Sequence, residues 1–185
     1  MKTFAKLLVI LIMTVSVKAQ NTIGPLDDYS PQVGTLVSML NDMKNRVERT
    51  VKDLSVEELD YLMDDQANRI GSLIMHLAAT EAFYQVYTFE GREFNKEEEA
   101  KWGIPMSLGE AAREKYQGHE VQYYLDAYTE VRNKTMELMK EKDDAWLSKL
   151  NASGNMNNHW GWYHVMEHQS SHLGQILLLK KRLPN

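Results

Sequence analysis

The sequence predicts an all-α fold in which four long helices form a bundle. Apolar residues recur at steps of three and four in four separate segments, as on the buried face of a helix. No segment shows the alternation of apolar and polar residues that is typical of a strand. The connection between the second and third helices, from Glu90 to Gly118, is long, which favours a crossover along the bundle or a lid over a site.

The first 19 residues have the pattern of a secretory signal peptide. Two lysines precede an apolar run from Leu7 to Val17, and small residues suit cleavage before Gln20. The run is too short to span a bilayer, although an uncleaved N-terminal anchor is the alternative interpretation. We therefore expect an exported protein, periplasmic or extracellular, whose residues 20–185 form one domain without a membrane anchor.

The composition excludes several classes of function. The chain has 26 acidic and 21 basic residues, and its net charge of −5 falls to −8 without the three lysines of the predicted signal peptide. Because nucleic acids require lysine and arginine, we expect no nucleic-acid partner. The charge run from Lys96 to Glu99 is most simply a solvated surface. With no cysteine in the chain, any metal must be held by His, Asp or Glu.

The first long helix is predicted to begin at Pro31, because proline is tolerated in a first turn and Ser30 is a suitable N-cap. Its apolar face comprises Val33, Leu36, Leu40, Met43, Val47 and Val51. After it, Ser55 and Glu58 have the spacing of a capping box, which predicts a short helical turn from Val56 to Met63.

The second long helix is predicted from Asn68 to Phe89. Its apolar face comprises Ile70, Leu73, Ile74, Leu77 and Tyr84. His76 lies beside that face, where a pocket wall or an ordinary helix edge would both fit. In the connection that follows, Ser107 and Glu110 have the spacing of a second capping box and predict a short helix ending at Tyr116.

The third long helix is predicted from Glu120 to Lys142, and the fourth from Asn158 to Leu183, before Pro184. The inward positions of the third are Val121, Tyr124, Leu125, Tyr128, Val131, Thr135, Leu138 and Met139. Those of the fourth are Trp162, Val165, Met166, Leu173, Ile176 and Leu183. A polar connection separates the two helices.

Three histidines of the fourth helix, His164, His168 and His172, recur at every fourth position and stack along one stripe. Such spacing recurs in helical metal sites, although buried histidines that donate to backbone carbonyls are the alternative. Three in phase, in a chain with six histidines, favour a ligand cluster. Measured from the core direction, His172 lies about 50° away, His168 about 90° and His164 about 130°. The geometry thus predicts a pair, His168 and His172, completed by His76, with a coordination position left open.

Two segments of the chain resemble the DinB/YfiT-like superfamily of metalloenzymes. The first runs from Ile70 to Ala79 around His76, and the second, Glu-His-Gln-Ser-Ser-His-Leu-Gly-Gln-Ile, from Glu167 to Ile176. The resemblance extends from about Ser30 onward, and it implies a four-helix bundle of up-down-down-up topology. It also implies a divalent metal, zinc or nickel with iron and manganese as alternatives, on the same three histidines.

Members of that superfamily with known activity include thiol-dependent transferases and isomerases, in which the metal activates a small thiol. The resemblance therefore implies a metal-dependent hydrolase or thiol transferase acting on a small-molecule substrate. Further candidates for substrate binding or proton transfer are Arg69, His164 and Glu167. A non-catalytic metal-binding or stress-related bundle protein is the alternative, and a protein without metal is the third. The exposed apolar residues are compatible with a homodimer.

Overall fold

The computed structural model describes residues 21–151 and 153–184, and within these ranges the chain is all-helical, as predicted. Its helices are α1 (Pro31–Val51), α2 (Val56–Leu59), α3 (Ile70–Gln85), α4 (Lys96–Ser107), α5 (Gly109–Lys115), α6 (Val121–Lys140), α7 (Asp144–Leu147) and α8 (Asn158–Lys181). A π-helical turn, Val86–Glu90, continues α3. The predicted signal peptide, residues 1–19, lies outside the described residues. Within the described ranges, no helix has both the length and the apolar composition to cross a membrane.

The four long helices predicted from apolar spacing correspond to α1, α3, α6 and α8, and the short turn after α1 is α2. The capping box of α2 forms as predicted. The Ser55 hydroxyl oxygen accepts from the Glu58 amide at 3.3 Å, and the Glu58 carboxylate accepts from the Ser55 amide at 2.8 Å. These local signals were sufficient because the apolar residues of each long helix recur at steps of three and four.

The helix α1 begins at Pro31, as predicted, but its first turn is capped by a different side chain. Ser30 occupies the N-cap position, but its side chain makes no cap hydrogen bond. The carboxylate of Asp144, at the start of α7, accepts instead from the amides of Gln32 and Val33 at 2.9 and 3.2 Å and from the Ser30 hydroxyl at 2.6 Å. A distant residue thus satisfies the amide groups that a helix leaves free at its first turn.

The long connection holds two helices where the spacing predicted one. Asn95 caps α4, accepting from the amides of Glu97 and Glu98, both at 2.9 Å. Residues Lys96 to Glu99 therefore form the first turn of α4, where acidic side chains interact favourably with the helix dipole. The predicted capping box at Ser107 is wrong, because that residue ends α4 and Leu108, at φ 56°, turns the chain into α5.

The helix α3 is central to the packing. It contacts α4, α6 and α8, and the residues from Ile70 to Ala82 are all buried. Its apolar residues surround the helix instead of forming one stripe, and a helix of this kind requires cover on every side. The connection supplies that cover, because α4 packs where a simpler bundle would expose α3 to water.

Contacts between the long helices fix their relative directions. Residue numbers rise together along α3 and α6, in the pairs Gly71–Tyr124 and Glu81–Arg132. They run in opposite senses along α3 and α8, in the pairs His76–His168 and Thr88–Trp162. They also run in opposite senses along α1 and α6, in the pairs Asn41–Met136 and Lys44–Tyr128.

Two glycines allow the helices beside α3 to approach closely. A Cβ atom added at Gly71 would lie 2.5 Å from Cζ of Tyr124 on α6. A Cβ added at Gly161, on α8, would lie 3.2 Å from the ring of Tyr84 on α3. Larger residues at these points would push α6 and α8 away from α3, on which the site is built.

A buried ion pair joins α3 to α6 in the core. Arg132 donates through Nε and Nη2 to the two carboxylate oxygens of Glu81, each at 2.7 Å. Thr135 and Gln169 donate to the same carboxylate at 2.6 and 2.9 Å, and Asn41 accepts from Arg132 Nη1 at 3.5 Å. Burial opposes the charged form of Arg132, but the paired Glu81 carboxylate raises its pKa overall. The pair was not singled out in the sequence.

Candidate metal centre

His76 enters the site from the middle of α3. Its Nδ1 donates to the Pro105 carbonyl oxygen at 2.8 Å. That carbonyl belongs to the last turn of α4, where carbonyls lack partners within the helix. Because a carbonyl oxygen can only accept, Nε2 of His76 keeps a free lone pair. Burial lowers the pKa of His76 and favours the neutral ring that metals bind.

His168 and His172 come from consecutive turns of α8. Nε2 of His168 lies 3.0 Å from Nε2 of His76 and 3.0 Å from Nε2 of His172. The Nδ1 of His172 donates to the Gln175 side-chain oxygen at 3.1 Å, so its Nε2 also presents a lone pair. Burial, reinforced by the neighbouring histidines, lowers the pKa of His168 to about 3.

The three imidazoles cannot satisfy one another by hydrogen bonding. Because His76 and His172 both present lone pairs to Nε2 of His168, which carries at most one hydrogen, at least one of these nitrogens is left without a donor. The buried Nδ1 of His168 has no hydrogen-bond partner within the described residues. The ligand atoms of the three side chains lie within 4.8 Å of one another, and tetrahedral zinc ligands lie about 3.4 Å apart. The cluster therefore fits a divalent transition metal.

A cleft of about 410 Å³ opens beside this histidine cluster, and His76 and His168 form part of its wall. The other lining residues are Thr80, Phe83, Tyr84, Glu93, Phe94, Glu99, Met106 and His164. Four of these, from Glu93 to Met106, belong to the long connection, which thus forms one side of the cleft. The volume suits a small molecule, and the cluster is open to a ligand on this side.

The three further candidates are placed differently. His164 lines the cleft, lies outside the cluster of three, and donates from Nδ1 to the Glu167 carboxylate at 2.8 Å. Glu167 itself is exposed and does not line the cleft. Arg69 lies away from the cleft and donates to three oxygens of the connecting segments, those of Asp60, Arg113 and Gln117. Of these candidates, His164 alone lies against the cleft.

The comparison with protein families agrees with this geometry. Residues 35–184, most of the chain, match the family model described as mycothiol-S-transferase. The chain belongs to this family. The mycothiol-S-transferase family is DinB/YfiT-like, so the resemblance seen in the two histidine segments is confirmed. The family and the three-histidine cluster together suggest a divalent metal and a small-molecule thiol. A comparison with curated proteins gave no match.

Several residues of the site were not found from the sequence. Glu93, Phe94 and Glu99 reach the cleft from a connection whose path depends on tertiary packing. One usable signal was present, because Asn95 and Glu98 have the spacing of a capping box and mark the start of α4. The carbonyl that holds His76 has no sequence signal, since every residue carries a carbonyl.

Proposed function

We propose that the chain is a metal-dependent thiol transferase in which His76, His168 and His172 hold a divalent metal. The observation that carries this proposal is the convergence of their lone pairs beside an open cleft. The family description makes mycothiol the first thiol to test. Zinc or nickel would suit three imidazole ligands, with iron and manganese as the alternatives.

A divalent metal bound there would supply Lewis acidity, which lowers the pKa of a thiol or water in the open position. The Pro105 carbonyl and the Gln175 side chain hold His76 and His172 with Nε2 toward the cluster. His164 donates from Nδ1 to Glu167, so its Nε2 is free to take the thiol proton. The sulfur then bonds to an electrophilic carbon, and the leaving group departs with the electrons of the broken bond.

Metal analysis tests the site directly. Protein purified without a histidine tag should contain a transition metal in equimolar amount. The His168→Ala variant should lose it, whereas His159→Ala, which changes an exposed histidine outside the cluster, should retain it. Absence of metal after incubation with zinc, nickel, iron and manganese would contradict the proposal.

Activity separates the reaction types. Metal-loaded protein, mycothiol and an aryl halide should give the thioether and free halide, and His164→Gln should slow this by about 10²-fold or more without metal loss. Turnover of ester or amide substrates without a thiol would favour a hydrolase. Bound metal with no turnover of either kind would favour the non-catalytic alternative.

We infer that the four long helices form a bundle of up-down-down-up topology. The contact pairs support α3 parallel to α6, with α8 antiparallel to α3 and α1 antiparallel to α6. A parallel second and third helix requires a connection that returns along the bundle, and the segment containing α4 and α5 has the length to do so. An experimental structure of the metal-loaded protein would test this topology.

We also propose that residues 1–19 direct export and that residues 20–185 form one exported domain. The basic, apolar and small-residue regions of the sequence support this proposal. N-terminal sequencing of protein from the periplasm or the medium should begin at Gln20. A protein that keeps Met1 and is found only inside the cell would contradict it.

A further inference from the structure

The cleft beside the histidine cluster is acidic on one side. Glu93 and Glu99 line it from the long connection, and neither carboxylate forms an ion pair or accepts a side-chain hydrogen bond within the described ranges. Arg92, next to Glu93 in the chain, is already paired with Glu90 and Glu98. No lysine or arginine of the described residues lines the cleft, so both carboxylates are free to meet a ligand.

Aromatic rings line the same cleft as these carboxylates and the histidines. The ring of Phe83 contacts those of Phe94 and Tyr84 edge to face, with centroids 5.4 and 5.6 Å apart. All three residues are half-buried and line the cleft, as does the thioether of Met106. Aromatic faces carry negative charge density and attract cations, so this wall and the two carboxylates favour the same kind of ligand.

We propose that this cleft binds an organic cation, a molecule with an aromatic or aliphatic body and an ammonium group. The inference rests on the proposed function, because it assigns the charge of the electrophile that the thiol would attack. A ligand bearing a carboxylate or phosphate would bring its charge beside Glu93 and Glu99, where the described part of the chain offers no lysine or arginine to pair with it.

Three ligands of matched size test the charge preference: phenethylamine, phenethyl alcohol and hydrocinnamate. Calorimetry on the zinc-loaded and the metal-free protein should show that the amine binds about fivefold more tightly than the alcohol. This ratio corresponds to the upper end of the free energy that an exposed ion pair contributes. Hydrocinnamate should bind most weakly to the metal-free protein, since zinc in the histidine cluster would itself attract a carboxylate. In the metal-free protein, equal affinities, tighter binding of hydrocinnamate, or no binding of any ligand would overturn the inference.

The carboxylates can be tested without disturbing the fold, because both are exposed. The double variant Glu93→Gln/Glu99→Gln should reduce the affinity for the amine to that for the alcohol and leave the alcohol unchanged. The matched control is Glu97→Gln, an exposed residue of α4 outside the cleft, which should keep the full preference. An amine preference that survives the double variant would overturn the inference.

The two proposals fail separately. A protein that holds no metal but prefers the amine would contradict the transferase and support the cation site. A protein with equimolar metal and thiol transfer, but without charge preference among the three ligands, would support the transferase and overturn the cation site.

Discussion

Two polar clusters link α3 to α8, and they are built in opposite ways. In one, Glu81 binds Arg132 through two hydrogen bonds of 2.7 Å and accepts a third from Gln169 at 2.9 Å. In the other, His76 and His168 face each other across 3.0 Å with too few protons to satisfy every nitrogen. The first cluster is complete within the protein, whereas the second requires something more.

This difference separates a polar cluster whose members pair with one another from one whose members do not. Buried polar atoms of a folded protein almost always have partners, because an unmet donor or acceptor costs about 1–3 kcal/mol. The buried ion pair obeys this rule at full burial, with side-chain exposures of 2% for Arg132 and 0% for Glu81. The histidine cluster breaks the rule beside an open cleft, and a metal held by the three Nε2 atoms would accept their lone pairs.

The largest expected effect comes from opening the complete cluster. Glu81→Ala should lower the free energy of unfolding by about 3–5 kcal/mol, because the Arg132 charge would stay buried without its partner. Urea denaturation measures this change. The control is Glu137→Ala, which removes an exposed ion pair with Lys140 and should cost about 0–1 kcal/mol. A similar loss in both variants would show that the buried pair has no special structural role.

The histidine cluster, in contrast, should affect stability through the metal that it is proposed to bind. With free metal at about one hundred times its Kd, the wild-type protein should gain about 2.7 kcal/mol of stability, since the ligand binds the folded state. His168→Ala should gain nothing, while His159→Ala should gain as much as the wild type. Denaturation with and without metal measures the gain. Equal stabilisation of the two variants would place the metal outside the cluster.

The same contrast explains which parts of the site the sequence predicted. His168 and His172 were predicted as a pair because helical spacing alone brings them together, and His76 because it lies beside a core face. The ion pair was missed because Glu81 and Arg132 lie on different helices. A charged residue on a helix is normally exposed to solvent. Only the packed structure shows that its partner lies on another helix.

The fold shows the same limit: the long helices could be predicted from the sequence, but the packing of the connection could not. The long helices were found because each has a periodic apolar pattern, but α4 was missed because it buries only Trp102 and Pro105. A proline inside the helix also resembles a break in the sequence. The helix α4 covers α3 and forms part of the cleft wall. Both features depend on how the connection packs, and no periodic pattern in the sequence predicts them.

A smaller effect should follow from loosening one of the proposed metal ligands without removing it. Gln175→Ala deprives His172 of its hydrogen-bond partner at 3.1 Å and should raise the metal Kd about 10- to 100-fold. Competition with a chromophoric chelator measures the Kd. Ser171→Ala, next to His172 but exposed, is the control and should change it less than twofold. An unchanged Kd in Gln175→Ala would show that this hydrogen bond does not orient the ring.

The smallest effect is expected at the start of α4, away from the buried ion pair. Asn95→Ala removes the cap that accepts from the Glu97 and Glu98 amides, and it should lower stability by about 1 kcal/mol. Hydrogen exchange should accelerate in α4 but not in α6, because caps act locally while the ion pair holds the core. Asn133→Ala, an exposed change within α6, is the control. Faster exchange throughout the chain would mean that α4 and the core unfold as one unit.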